Sequence, residues 1–235
     1  GWVDWGHALP GRSGAHDSTA GLYQQITSER ANWPGLDRID IKYRGFPAYV
    51  VVYGQSMGSA RLGISVSTVR HWVVRKGLSV AQKERVALGI FMSTSRGFEN
   101  LQSSWPYGWV TDSGYSAEDL VSNLIGFYTV FRGSSLAAMR GICGEVSVEE
   151  SYRIWDEHLP NGLGGIKNKT TRPIRFPCAE CERRDSFPSE LEGMVAEPQG
   201  ALFRAPARRF IDGGLVNGGY PLDMDDKGVI RVRQR

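Results

Sequence analysis

Val110 to Gly133, VTDSGYSAEDLVSNLIGFYTVFRG, reads as a polar loop running into an amphipathic helix over 117–131. Ser116 is placed to cap the first turn, and Glu118 and Asp119 fall where carboxylates suit the positive end of the helix dipole. Leu120, Leu124 and Phe127 or Tyr128 form an apolar stripe, while Asp119, Ser122 and Asn123 cluster on the other flank. A polar flank behind a polar loop suits the wall of a cleft.

Working outward, residues 79–102 repeat apolar positions at helical steps: Val80, Ala87, Leu88, Phe91, Phe98 and Leu101. Between the two helices lies a loop holding Trp105, Tyr107 and Trp109. Upstream, 39–53 (IDIKYRGFPAYVVVY) reads as a hairpin or two strands broken at Arg44-Gly45, and 64–75 is ambiguous between strand and short helix. The Gly-rich first 21 residues lead into a helix from Ser18 to about Ile26. Downstream, a helix is expected at 134–139, and another starts at Ser147 and runs to Glu157 or His158, stopped by Pro160. Past that proline, Gly, Pro and charges dominate, with short strand-like pieces at 174–176 and 229–232. The expected class is α+β: a predominantly helical centre, a small β element and an extended C-terminal third. The expected organisation is a helical core over 1–160 with an N-terminal site loop, and a wrapping segment over 161–235 in the same globule.

The 235 residues are 41% hydrophobic and include seven Trp, enough for a sizeable core. A net charge of +3 with scattered basic residues argues against nucleic acid as partner. The clusters at 204–209 and 231–235 suit a solvated basic tail, or attraction to an anionic polymer or lipid surface. No apolar run is long enough for a transmembrane helix. The chain opens at Gly1 without a signal-peptide pattern and is compatible with being one domain of a longer protein. Cys178 and Cys181 form one C-x-x-C, and Cys143 is the third cysteine; free thiols, a disulfide to Cys143 and a zinc site stay open as alternatives.

Three constellations could carry chemistry. Gly54-Gln55-Ser56-Met57-Gly58 matches G-x-S-x-G after an apolar run, which in a serine hydrolase makes a strand-turn-helix elbow; His158 would be the partner of Ser56. The glycine at position 63 makes a following helix a poor expectation. Asp4, His7 and His16, in or near one loop, could converge on a divalent metal such as zinc. Finally, Glu99, Asp112 and Asp119 surround the aromatic loop. One carboxyl donating a proton and another activating water or attacking is what glycosidic hydrolysis needs, with Trp105, Tyr107 and Trp109 as sugar-stacking platforms and Asn123 beside them. Helix capping and core packing explain the same residues without chemistry, and His71 and His158 read as structural.

Val3-Asp4-Trp5-Gly6-His7 together with the block from Gly114 to Gly126 (GYSAEDLVSNLIG) resembles an uncharacterised bacterial family, the domain of unknown function numbered four thousand and fifty-six. The shared features are an Asp-x-x-His near the start, an S-x-E-D-L-x-S-N-L-x-G block, and a strip from Arg172-Pro173 to Cys178. The likeness covers roughly residues 2 to 190, with the block its specific part. It implies a Glu in the middle of the preceding helix, where this chain has Met92-Ser93. The chain would then use Glu99 instead or be inactive. The resemblance implies a bacterial, envelope-related origin.

These readings converge on a hydrolase of bacterial peptidoglycan, periplasmic or secreted, which could be a toxin or effector domain opposed by an inhibitor or immunity protein. Glu99 would be the general acid, Asp112 or Asp119 the base, and His7 a positioning or metal-binding group. The alternatives are the Ser56 hydrolase and a non-catalytic envelope-binding module.

Overall fold

A computed structural model of the chain describes residues 3, 5–32, 41–59, 64–102, 119–162, 165–166, 194–205, 222–224 and 230–232. The fold is α+β. Its elements, in order, are α1 (Trp5–Ala8), α2 (Thr19–Ser28), β1 (Ile41–Tyr43), β2 (Phe46–Ser59), β3 (Ile64–Arg75), α3 (Val80–Gln102), α4 (Asp119–Phe131), α5 (Leu136–Cys143), α6 (Val148–His158), β4 (Phe203–Arg204), β5 (Leu222–Met224) and β6 (Ile230–Val232). By internal contacts the chain divides into two compact units, Gly1–Pro10 with Ser95–Gly193, and Gly11–Thr94 with Met194–Arg235. The division falls inside α3. Among the described residues, no helix is long and apolar enough to cross a membrane.

The unit containing Gly11–Thr94 is built on an antiparallel sheet ordered β1-β2-β3-β4. Arg44 and Gly45, both with positive φ, make the tight turn between Tyr43 and Phe46, matching the twist of the flanking strands. β3 is a strand throughout, resolving the ambiguity at 64–75. In β2 the consecutive residues Ala48 to Tyr53 are all buried, so the apolar run YVVVY marks a strand covered on both faces. One face carries Ala48, Val50, Val52, Val69 and Val73, packed with Ala31 and Ile41. On the other, Trp72 meets Phe203 with ring centroids 5.8 Å apart, and Tyr53 meets Phe91 of α3 at 6.3 Å.

α2 begins where Ser18 accepts the Gly21 N–H (2.9 Å) and runs beside the part of β2 that β1 is too short to cover. There the side chain of Gln25, wholly buried, acts as a piece of strand. The Val52 N–H donates to Gln25 Oε1 and Gln25 Nε2 donates to the Val52 carbonyl, both at 2.9 Å. The second lone pair of Oε1 takes the Asn32 N–H (3.2 Å), and the second amide hydrogen reaches the Gly21 carbonyl (3.3 Å). Two residues along the same edge, the Gly54 N–H donates to the His16 carbonyl (2.9 Å).

α3 starts with a capping box, Ser79 and Gln82 each receiving the other's backbone N–H. Val80, expected in the apolar stripe, is instead 74% exposed because it sits in the first turn, ahead of the buried Val86, Ala87 and Ile90. The C-terminal segment crosses α3 at Gly89. A Cβ there would lie 2.5 Å from the Glu197 carbonyl oxygen and 2.8 Å from the Phe203 ring. Arg85 and Glu197 fix the crossing with an ion pair of 2.9 Å, and β4 then adds to β3.

In the other unit, α1 packs on α4, and α4 on α5. Phe127 and Phe131 stack with centroids 4.2 Å apart, and the Arg140 guanidinium lies 5.7 Å from the Trp5 ring centroid. Ser147 caps α6 as the sequence predicts, accepting the Glu150 N–H (3.1 Å), and the helix ends at His158. Cys143 is a free thiol, its pKa pushed up by burial. The pieces at 174–176, Cys178 and Cys181 lie outside the described residues. Near 229–232 the expected strand appears as β6, paired antiparallel with β5.

Replacing Gln25 by Leu keeps the bulk but strands the Val52 N–H and C=O and the Asn32 N–H in the interior. We expect a loss of about 3 kcal/mol in stability, read from the urea midpoint of the full chain. An unchanged midpoint would show that these groups find other partners.

Candidate functional site

The packing of α1 on α4 joins two stretches far apart in sequence. α1 carries His7, and α4 begins at Asp119 and carries Asn123. The same compact unit holds the end of α3 from Ser95 onward, with Glu99 in its last turn. Three of the sequence-predicted residues, and the helix bearing a fourth, therefore belong to one unit.

α4 differs from the one-sided helix the sequence suggests. Leu120, Val121, Leu124, Ile125, Phe127 and Tyr128 are buried, and so is Ser122, which was expected on an open polar flank. Between Leu120 and Tyr128 only Asn123 is not buried. A helix apolar nearly all round belongs in a core, and on this one the Asn123 amide is the single opening over two turns. An amide at such a position offers both a donor and an acceptor, a suitable pairing for a sugar hydroxyl or an acetamido group. The side chains of His7, Glu99 and Asp119 are outside the described set, as are Asp4, Trp105, Tyr107, Trp109 and Asp112 altogether.

His16 belongs to the other compact unit. Its backbone carbonyl is taken by Gly54, and its charge acts on His71. Among the described residues, no three His, Cys, Asp or Glu side chains gather as a metal-binding group. The structure accordingly gives His16 a role at the sheet edge.

The G-x-S-x-G stretch lies in a strand. Gln55 to Ser59 continue β2, with Ser56 opposite Ser67 and Gly58 opposite Ser65. A nucleophile elbow needs a sharp turn into a helix, whereas here the chain runs straight on as a strand. His158 lies at the C-terminal end of α6 in the other unit, where a histidine suits the helix dipole. Both glycines of this G-x-S-x-G are paired within the strand, Gly54 with Val69 and Gly58 with Ser65.

Sequence reading missed the polar group formed behind the N-terminal loop. His71, on β3 opposite Val52, is only 6% exposed. Burial, and secondarily the charge of His16, lower its pKa from 6.5 to about 4. Tyr53 is also buried, and desolvation raises its hydroxyl pKa despite hydrogen bonds with Thr19 and Gln55. Nothing in the spacing of His16 and His71 announces the pairing; the register of β2 with β3 and the anchoring of His16 at Gly54 create it.

His71 is neutral in the folded protein and becomes protonated on unfolding below its ordinary pKa. Stability therefore falls as pH drops from about 6.5 to about 4, by on the order of 3 kcal/mol in all. His71→Gln should flatten that part of the pH–stability curve. An NMR titration placing His71 near its ordinary value, or an unchanged slope in the variant, would contradict this.

No protein-family model, curated protein or solved structure matches the chain.

Proposed function

We propose that this protein is a hydrolase of the bacterial cell envelope acting on peptidoglycan. The observation that carries the reading is the packing of α1 on α4, which unites the helix of His7 with that of Asp119 and Asn123. These are the two stretches, Val3–His7 and Gly114–Gly126, whose combination marks the sequence. Packing alone would be satisfied by apolar residues. A polar, half-open Asn123 on a stretch of α4 otherwise buried from Leu120 to Tyr128 is better explained by something it must reach.

Glycosidic cleavage assigns the roles as follows. The Glu99 carboxyl donates its proton to the departing glycosidic oxygen. Asp119 or Asp112 removes a proton from the attacking water, or attacks the anomeric carbon directly. Trp105, Tyr107 and Trp109 support the sugar rings by stacking, Asn123 bonds a polar substituent, and His7 orients the group beside it. Amide cleavage in the peptide stem would instead draw on Asp4 and His7 as ligands of a divalent metal such as zinc. Met92 and Ser93 are half-buried within α3 and offer no carboxylate there, so the acid on this helix falls to Glu99. A wall-degrading role belongs in the periplasm or outside the cell, and for a toxin domain it implies a cognate inhibitor protein.

Incubation with purified peptidoglycan, with and without a chelator, and mass spectrometry of the released fragments test the reading. New reducing ends are expected, lost in Glu99→Gln by at least a hundredfold with the thermal midpoint unchanged. Freed stem peptides that vanish with chelator would move the chemistry to Asp4 and His7. Saturable wall binding without any product would replace the hydrolase with a binding module.

A further inference from the structure

The register of the sheet gathers basic residues that are scattered in the sequence. At one end, the turn carries Arg44, β1 carries Lys42, β3 ends in Arg75 and Lys76, and β4 carries Arg204. Because Ala48 is opposite Arg75 and Val73 is opposite Arg204, Phe46, Arg75 and Arg204 fall on one face across three adjacent strands. Lys42, Arg44, Lys76 and Arg204 are exposed, and none pairs with a described carboxylate. Glu29 is engaged by Lys83 and the Gly77 N–H, and Glu197 by Arg85, so neither neutralises the group.

Phe46 follows directly on the Arg44-Gly45 turn, shares its sheet face with Arg75 and Arg204, and is 48% exposed, while Lys42, opposite Pro47, lies on the other face of the same end. The Arg75 guanidinium lies over its ring, 3.4 Å from the centroid. One face of the ring is thus covered by a cation, and the rest faces solvent directly after a two-residue turn. A single exposed Phe means little. An exposed Phe beside a hairpin turn, at a sheet end that carries basic residues on both faces and no ion pair from them to a described carboxylate, is a different matter.

We propose that this end of the sheet docks on an anionic phospholipid bilayer, with the Arg44–Phe46 tip entering the headgroup layer. The charge requires an anionic partner, and the tip decides which. A nucleic-acid strand tracks a row of aromatic platforms for successive bases, whereas Phe46 offers one ring with one face already covered by Arg75. A flat, fluid surface needs neither a groove nor a stacking platform: basic side chains meet phosphates while the ring sinks to the interface. None of these residues belongs to the hydrolase site proposed above, so bilayer binding and wall cleavage succeed or fail separately.

Flotation of the full chain with phosphatidylcholine vesicles, with and without phosphatidylglycerol, is the test. Binding is expected only to the phosphatidylglycerol vesicles and should weaken with salt. Each neutralised charge should cost about fivefold in partitioning, so the triple variant Lys42→Gln, Arg44→Gln, Lys76→Gln should lose about a hundredfold. Phe46→Ser should weaken binding at constant charge, whereas Phe46→Trp should retain it and gain emission quenched by brominated lipid. All four positions are exposed, and a thermal melt of each variant verifies the fold. Equal binding by the triple variant would assign the affinity to the basic tail and overturn the proposal. So would equal binding to uncharged vesicles, or capture by RNA with no capture by vesicles.

Discussion

One buried amide governs the unit built on the four-stranded sheet. β1 covers only the first residues of β2, and the strand's outer edge would otherwise present bare N–H and C=O groups to the interior. Gln25 answers both groups of Val52 at 2.9 Å and uses its remaining valences on Asn32 and Gly21. Its four capacities are thereby matched inside the protein, the condition under which a buried polar group ceases to be a liability. The position of α2, the placement of Asn32 and the anchoring of the N-terminal loop at Gly54 all follow from that edge.

A second close approach does for the opposite edge what Gln25 does for the first. β3 receives β4 only because the segment leading to it can pass α3, and Gly89 leaves the room. The Glu197 carbonyl and the Phe203 ring occupy the volume that any side chain would take. Phe203 then closes the core against Trp72. Each edge is thus covered in part, at Val52 and Gly54 on β2 and at Val73 and Val74 on β3, by contacts local in space and remote in sequence.

Much of this was legible in the sequence where local chemistry decides the outcome. Arg44-Gly45 announces a turn because glycine tolerates positive φ, and Ser18 and Ser147 announce helix starts because their hydroxyls cap. The α3 pattern and the stop at Pro160 follow in the same way. Other features were not legible. The run ISVSTVRHWVVR is equally apolar in either conformation, and only its partner β2 selects the strand. GQSMG matches an elbow by spacing alone, because the pattern does not register whether the chain turns after the serine or continues as a strand. Gln25 reads as an ordinary polar helix residue, since nothing in its neighbours reveals an exposed strand edge. For the site, the motif pieces around His7 and Asp119 were visible, and their meeting through α1 and α4 was not. The burial of Ser122 also departs from the pattern, because α4 is enclosed more fully than a stripe of period 3.6 suggests.

The lateness of β4 has a consequence in time. Its partner strand is complete at Arg75, yet Phe203 emerges from the ribosome only after more than a hundred further residues. Throughout that interval β3 lacks its outer neighbour and Trp72 lacks the ring that closes over it. The nascent chain must carry an unfinished sheet while the intervening helices are made, so a contact formed late in synthesis is also one that seals the core. A protein laid out in this way places its greatest exposure to misassociation in the cell before release, and long-range closure of this kind is intrinsically slow.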